Sequence, residues 1–155
     1  MPPLILGNLR VLGYANVPAT AKSVEAPGGE AHPDAKLLAL GYVPNLVIAE
    51  HLDESASIEL LYCGDAWQVL ARRPAASADA AKALAAQRFA GIAQHWLPLQ
   101  GTREEALLHY DLSNEKSRCS FCGKRAFQVA LLIEGANGIV CDECVARFRR
   151  ATQSN

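Results

Sequence analysis

Between Leu4 and Tyr14 apolar residues alternate with others at the two-residue period of a strand, and Pro18 ends the pattern. Three further β-rich runs follow, Leu46 to Leu52, Ile58 to Cys63 and Ala66 to Arg72. Gly64 and Asp65, between the last two, have the residue types of a tight hairpin turn, so the simplest arrangement is an antiparallel meander. Ser77 then caps an alanine-rich helix in which Ala81, Ala85, Phe89, Ile92 and Trp96 share one face, and Pro98 closes it. That stripe predicts a helix seated on one side of the meander, with both aromatic rings buried. Thr102-Arg103-Glu104-Glu105 has the form of a capping box, which predicts a second helix to about Tyr110.

The remaining stretches carry weaker patterns. Thr20 to Asp34 holds Pro27, Gly28, Gly29 and Pro33 among small polar residues and reads as a surface loop without regular structure. Lys36 to Tyr42 fits a short helix closed by Gly41 as well as a buried strand, because so brief an apolar run suits either period. Residues 111–117 are polar and read as a linker. The pattern therefore divides the chain into an α+β domain over residues 1–110, a linker over 111–117 and a C-terminal module over 118–155.

That module carries the most specific chemistry in the chain. Cys119 and Cys122 form one C-x2-C pair, Cys141 and Cys144 a second, and eighteen residues separate them. Two such pairs brought together by a hairpin supply the tetrahedral thiolate cage that Zn2+ prefers. Four protein ligands leave no open coordination position for water or substrate, so one structural zinc is expected and not a catalytic one. Around the pairs, Cys119 to Lys124 predicts a knuckle in which Gly123 lets the backbone turn its amides toward sulfur. Phe127, Val129, Leu131 and Ile133 alternate with Gln128, Ala130, Leu132 and Glu134, and Gly135-Ala136-Asn137-Gly138 turns the chain back toward Cys141. Cys141-Asp142-Glu143-Cys144 opens a helix with carboxylates at its positive end and Arg147, Arg149 and Arg150 near its negative end. Knuckle, hairpin and helix compose a treble-clef-like finger.

Cys119-Ser-Phe-Cys-Gly-Lys, Leu132-Ile133-Glu134-Gly135 and Ile139-Val140-Cys141-Asp142-Glu143-Cys144-Val145, with the gap between them, resemble the N-terminal zinc-binding domain of the Clp unfoldase ClpX. The resemblance covers about residues 117–150. It implies a dimerising treble clef that engages other proteins, so the expected partner is Clp-related machinery or its substrates, or a second copy of this chain. Two features depart from that family. The chain has no G-x-x-x-x-G-K-[ST] loop to cradle nucleotide phosphates, and the module lies at the C-terminal end of the sequence. No family is recognised in residues 1–116.

Composition narrows the alternatives. Half of the 155 residues are hydrophobic and a fifth are charged, an ordinary globular balance, and no apolar run approaches the ~18 residues that cross a bilayer. The N-terminus lacks the basic and apolar regions of a secretory signal, which predicts a reducing cytoplasm where paired cysteines bind metal. Net charge is -5 over residues 1–115 and +4 over residues 116–155. Four thiolates around Zn2+ contribute -2, so the basic tail is only weakly suited to nucleic acid. A nucleic-acid-binding zinc protein using the C-terminal helix is the alternative reading, and neither nucleic acid nor a membrane is the expected partner.

The other reactive residue types form no constellation. Cys63 lies in an apolar β-rich run, as a core residue would. His32, His51, His95 and His109 are scattered without metal-ligand spacing. Trp67 and Trp96 fit core positions of a strand and of a helix. No catalytic residue is identified, and the expectation is a non-enzymatic adaptor or regulatory protein whose apolar finger residues Phe121, Phe127, Leu132 and Phe148 meet another surface.

Overall fold

A computed structural model describes residues 1–18, 43–114 and 117–153; the loop expected over Thr20 to Asp34 and the ambiguous Lys36 to Tyr42 run lie outside the described residues. The chain divides into two compact units, Met1–Ala106 and Leu107–Asn155.

In the first unit the apolar runs become strands β1 (Ile5–Leu6), β2 (Leu9–Asn16), β3 (Asn45–His51), β4 (Ile58–Cys63) and β5 (Val69–Ala75). Each pairs antiparallel with the next, so the expected meander is present, as the centre of a six-stranded sheet. The Leu4 to Tyr14 stretch is two strands and not one. Gly7, at φ +63°, turns the chain so that Leu6 pairs with Leu9, a conformation that costs glycine little.

The sheet is packed on both faces, which explains why β3 and β4 read as continuous apolar runs. Leu46, Ile48, Leu60 and Tyr62 point to one face, and Val47, Ala49, Leu61 and Cys63 to the other. Strand β2 changes phase part-way. The register shift between Val11 and Gly13 sends Leu9 and Val11 to the second face but Leu12 and Ala15 to the first.

Helix α1 (Ala78–Arg88) covers the first face. Ser77 caps it by accepting a hydrogen bond from the Ala80 N–H at 3.1 Å. Ala81 and Ala85 are fully buried, and their small side chains let the helix lie close to the sheet. Phe89 packs on Tyr62 with ring centroids 6.4 Å apart, each ring contributing a few kcal/mol (about 2–3) through area removed from water.

The helix does not run on to Trp96 as the apolar stripe implied. Alpha-helical structure stops at Arg88, Gly91 takes φ +79°, and a 3-10 turn over Ile92–His95 leads into β6 (Trp96–Pro98), which pairs with β2. Phe89 and Ile92 still reach the same core and Trp96 is half-buried against it, because the tight turn returns the chain to the sheet edge. Trp67 also departs from its expected strand position. It occupies the β4–β5 connection at φ +63°, and its ring meets Tyr14 edge-on at 5.5 Å on the second face.

Helix α2 (Arg103–Ser113) begins with the expected capping box: the Thr102 hydroxyl accepts from the Glu105 N–H (3.1 Å), and the Glu105 carboxylate accepts from the Thr102 N–H (2.7 Å). Its first residue is tied to the sheet, since Arg103 and Arg10 both reach Glu50 Oε2, at 3.0 and 3.1 Å. The helix continues three residues past Tyr110, so Asp111, Leu112 and Ser113 are helical where the sequence suggested linker.

Candidate metal centre

In the second unit the local rules of the sequence place four sulfurs together. Gly123, at φ +74°, reverses the chain after the first cysteine pair, and the Gly123 N–H donates to the Cys119 carbonyl at 2.9 Å while the Cys119 N–H donates to the Lys124 carbonyl at 2.9 Å. This knuckle is joined to the hairpin formed by β7 (Leu132–Gly135) and β8 (Gly138–Cys141). The Ser120 N–H donates to the Ile139 carbonyl (2.7 Å), and the Ser120 hydroxyl accepts from the Ile139 N–H (3.0 Å). Gly138 leaves room for that approach, since a Cβ there would stand 3.1 Å from the Ser120 hydroxyl.

The hairpin delivers Cys141 directly to the start of helix α3 (Asp142–Thr152), where Cys141 is the N-cap and its sulfur accepts from the Cys144 N–H at 3.4 Å. Asp142 fastens the junction: its N–H donates to the Leu131 carbonyl (3.1 Å) and its carboxylate accepts from the Leu131 N–H (3.1 Å). The expected strand from Phe127 begins later than the alternation implied. Residues Ala126–Gln128 form a 3-10 turn that carries Phe127 against Tyr110, with ring centroids 5.0 Å apart.

All four expected cysteines converge. Their sulfurs lie within 4.8 Å of one another, with Cys119 to Cys144 at 3.8 Å and Cys122 to Cys141 at 3.6 Å. A tetrahedron with Zn–S near ~2.3 Å has S···S edges of about 3.8 Å, so the donor set fits a tetrathiolate Zn2+ site. Cys119, Cys141 and Cys144 are buried, whereas Cys122 is exposed.

The electrostatics of the cluster call for a cation. Burial works to raise the Cys119 pKa, but N–H groups of Cys122, Phe121 and Cys141 directed at its sulfur bring it down to about 6. Cys144 is pushed up to about 12 by burial and by the sulfurs of Cys122, Cys141 and Cys119. At Cys141 the Cys144 N–H favours the thiolate, yet burial and the neighbouring sulfurs outweigh it and raise the pKa. Four thiolates at van der Waals contact repel one another, and a divalent ion among them supplies the compensating charge.

Residues outside the cysteine set hold the finger together, and nothing in their spacing announces them. Asp111 receives two hydrogen bonds from Arg125, and Arg118 lies 3.5 Å from its second oxygen. Lys124 pairs with Glu143 across the knuckle and helix, and this partner raises the lysine pKa.

The remaining candidates take other roles. Cys63 is fully buried in the sheet, and burial raises its pKa to about 11. His51 stands 3.1 Å from Glu59 and 3.7 Å from Asp53, His95 ends the 3-10 turn, and His109 lies on α2; His32 is outside the described residues. Among the described residues no other group of His, Cys, Asp and Glu side chains converges closely enough to hold a metal ion. Nor, among them, is any helix long and apolar enough to cross a membrane.

Comparison with known proteins agrees with the donor set. Residues 117–153 match the family model of the ClpX C4-type zinc finger, which implies zinc as the metal. In that segment the chain is similar to the ATP-dependent Clp protease ATP-binding subunit ClpX of two Bacteroides fragilis strains, each 48% identical over 40 residues. The corresponding subunit of Bacteroides thetaiotaomicron is 44% identical over 41 residues. These matches cover 26% of this chain and 10% of each relative, so the chain spans about a tenth of their length. The rest of the chain is unrecognised, and no solved structure matches it.

Proposed function

We propose that this chain is a non-enzymatic adaptor or regulatory protein of the cytoplasm, in which Cys119, Cys122, Cys141 and Cys144 hold one structural Zn2+ and the stapled finger docks on another protein. The observation that carries the reading is the apolar surface the finger leaves in solvent. Phe121 and Phe148 pack edge-on at 5.1 Å yet remain 67% and 44% exposed, and Leu131, Ile133 and Val145 are exposed as well. A unit this small that stiffens its backbone with a metal and then presents two aromatic rings to water has the makings of a recognition surface.

The metal in this reading supplies rigidity. When bound it offsets half of the thiolate charge and adds on the order of 10 kcal/mol of apparent folding free energy to a module too thin to bury a core. The protein supplies the surface. Similarity to ClpX in this segment makes Clp machinery or its substrates the first partners to test.

The test is affinity capture with intact protein and with a form ending at Ser113. Recovery of Clp components or their substrates by the intact chain alone supports the proposal; identical partner lists from both forms would remove the finger's role.

A further inference from the structure

We infer that Cys122 is a modification site, the one thiolate of the cage through which peroxides and soft electrophiles reach and open it. The inference rests on the reading of the cysteine cluster as a zinc site.

Three observations single out this sulfur. Cys119, Cys141 and Cys144 are 2%, 0% and 5% exposed, whereas Cys122 is an exposed residue. The N–H groups of Cys141 and Cys144 are directed to the sulfurs of Cys119 and Cys141. A thiolate that receives such a bond shares its lone-pair density with the donor and is a poorer nucleophile, so Cys119 and Cys141 are weakened for attack as well as buried. Finally, a hollow of about 560 Å3 gives a small reagent access to the cage; Cys122 and Cys144 both line it, and of the two only Cys122 is exposed.

The second sulfur needed for a stable product is already in place, since Cys141 lies 3.6 Å away. The Cys122 thiolate attacks one oxygen of hydrogen peroxide, the S–O bond forms as the O–O bond breaks, and the departing hydroxide takes a proton to become water. The Cys141 thiolate then attacks the sulfenic sulfur, the S–S bond forms as the S–O bond breaks, and a second hydroxide leaves and is protonated. Two thiolates, one peroxide and two protons give one disulfide and two waters; the sulfurs lose two electrons and the peroxide gains them. With half of its ligands consumed the cage no longer holds its ion.

The test uses the full zinc-loaded chain, hydrogen peroxide and a chromogenic chelator, with peptide mapping of the products. Zinc release in step with a Cys122–Cys141 disulfide, reversed by dithiothreitol and added zinc, is expected. Cys122→His keeps a fourth ligand while removing the open thiolate, and slows release by at least about tenfold at equal zinc content. Should that variant fail to load zinc, limiting N-ethylmaleimide on the unaltered chain decides. Its first adduct is expected on Cys122, in at least about tenfold excess over any other cysteine, with buried Cys63 as the inert reference. First modification at Cys63 or a buried cage cysteine, or zinc retained after Cys122 has reacted, overturns the inference. A chain that purifies without zinc contradicts the site itself, so the two failures are distinguishable.

Discussion

Asp111 and Arg125, fourteen residues apart, meet in a two-point ion pair: Arg125 Nε donates to one carboxylate oxygen at 2.7 Å and Nη2 to the other at 2.8 Å. Both side chains are only 19% exposed, so water competes weakly for these bonds. The pair ties the end of α2 to the first turn after the zinc knuckle, beside the Tyr110–Phe127 ring contact. The folded zinc unit therefore begins before the family-matched segment, which starts at residue 117.

Replacing Asp111 by Asn is expected to destabilise that unit by about 1.5–3 kcal/mol, the range for hydrogen bonds to charged groups. The sign of the pH dependence follows from the shifts. Arg125 hydrogen bonds hold the Asp111 pKa below its ordinary value, so the contribution is complete above about pH 4, the unfolded carboxylate range, and fades as pH falls through the folded value. Urea unfolding of wild type and Asp111→Asn, monitored on the finger at pH 7, checks the magnitude; equal midpoints would assign the pair no energetic role.

The break between α1 and β6 rests on Gly91 at φ +79°, with no heavy atom within 4 Å of where a Cβ would stand. Gly91→Ala should therefore cost only the strain of the left-handed backbone, about 1–2 kcal/mol, without a packing clash. Ser77→Ala, which removes the cap at the other end, should cost about 1 kcal/mol. The sites are separate enough for their effects to add in thermal or urea denaturation, and a neutral Gly91→Ala would show that the turn is not held as described.

These two ends of one helix show what could be read from sequence and what could not. The start was legible because Ser77 acts on an amide three residues away. The end was not, because Ala81, Ala85, Phe89, Ile92 and Trp96 continue a helical stripe through Gly91, and only the competing attraction of the β2 edge decides that Trp96 joins a strand. Phe127 misled in the same way: its alternation with Val129 and Leu131 suits a strand, yet its ring is taken by Tyr110. The cysteine cage was legible because C-x2-C spacing fixes a knuckle locally and the intervening hairpin is short. Asp111 was not, since a polar residue before the knuckle gives no sign of the arginine that will clasp it.

Phe121 and Phe148 contact each other but are largely in water, so Phe121→Ser combined with Phe148→Ser should change stability little, by about 1 kcal/mol or less, while abolishing partner capture. Zinc content and unfolding midpoint of the double variant establish that the cage survives. Undiminished capture of the same partners would place the docking surface elsewhere.

In the function proposed above, four sulfurs close around one zinc ion and this cage folds the tail. X-ray absorption at the zinc edge on purified chain, with metal content measured on the same sample, tests it most directly. The expected result is about one zinc per chain with four sulfurs near ~2.3 Å and no oxygen or nitrogen in the shell. A chain without metal, or a shell containing a light-atom ligand in place of any cysteine, would contradict it.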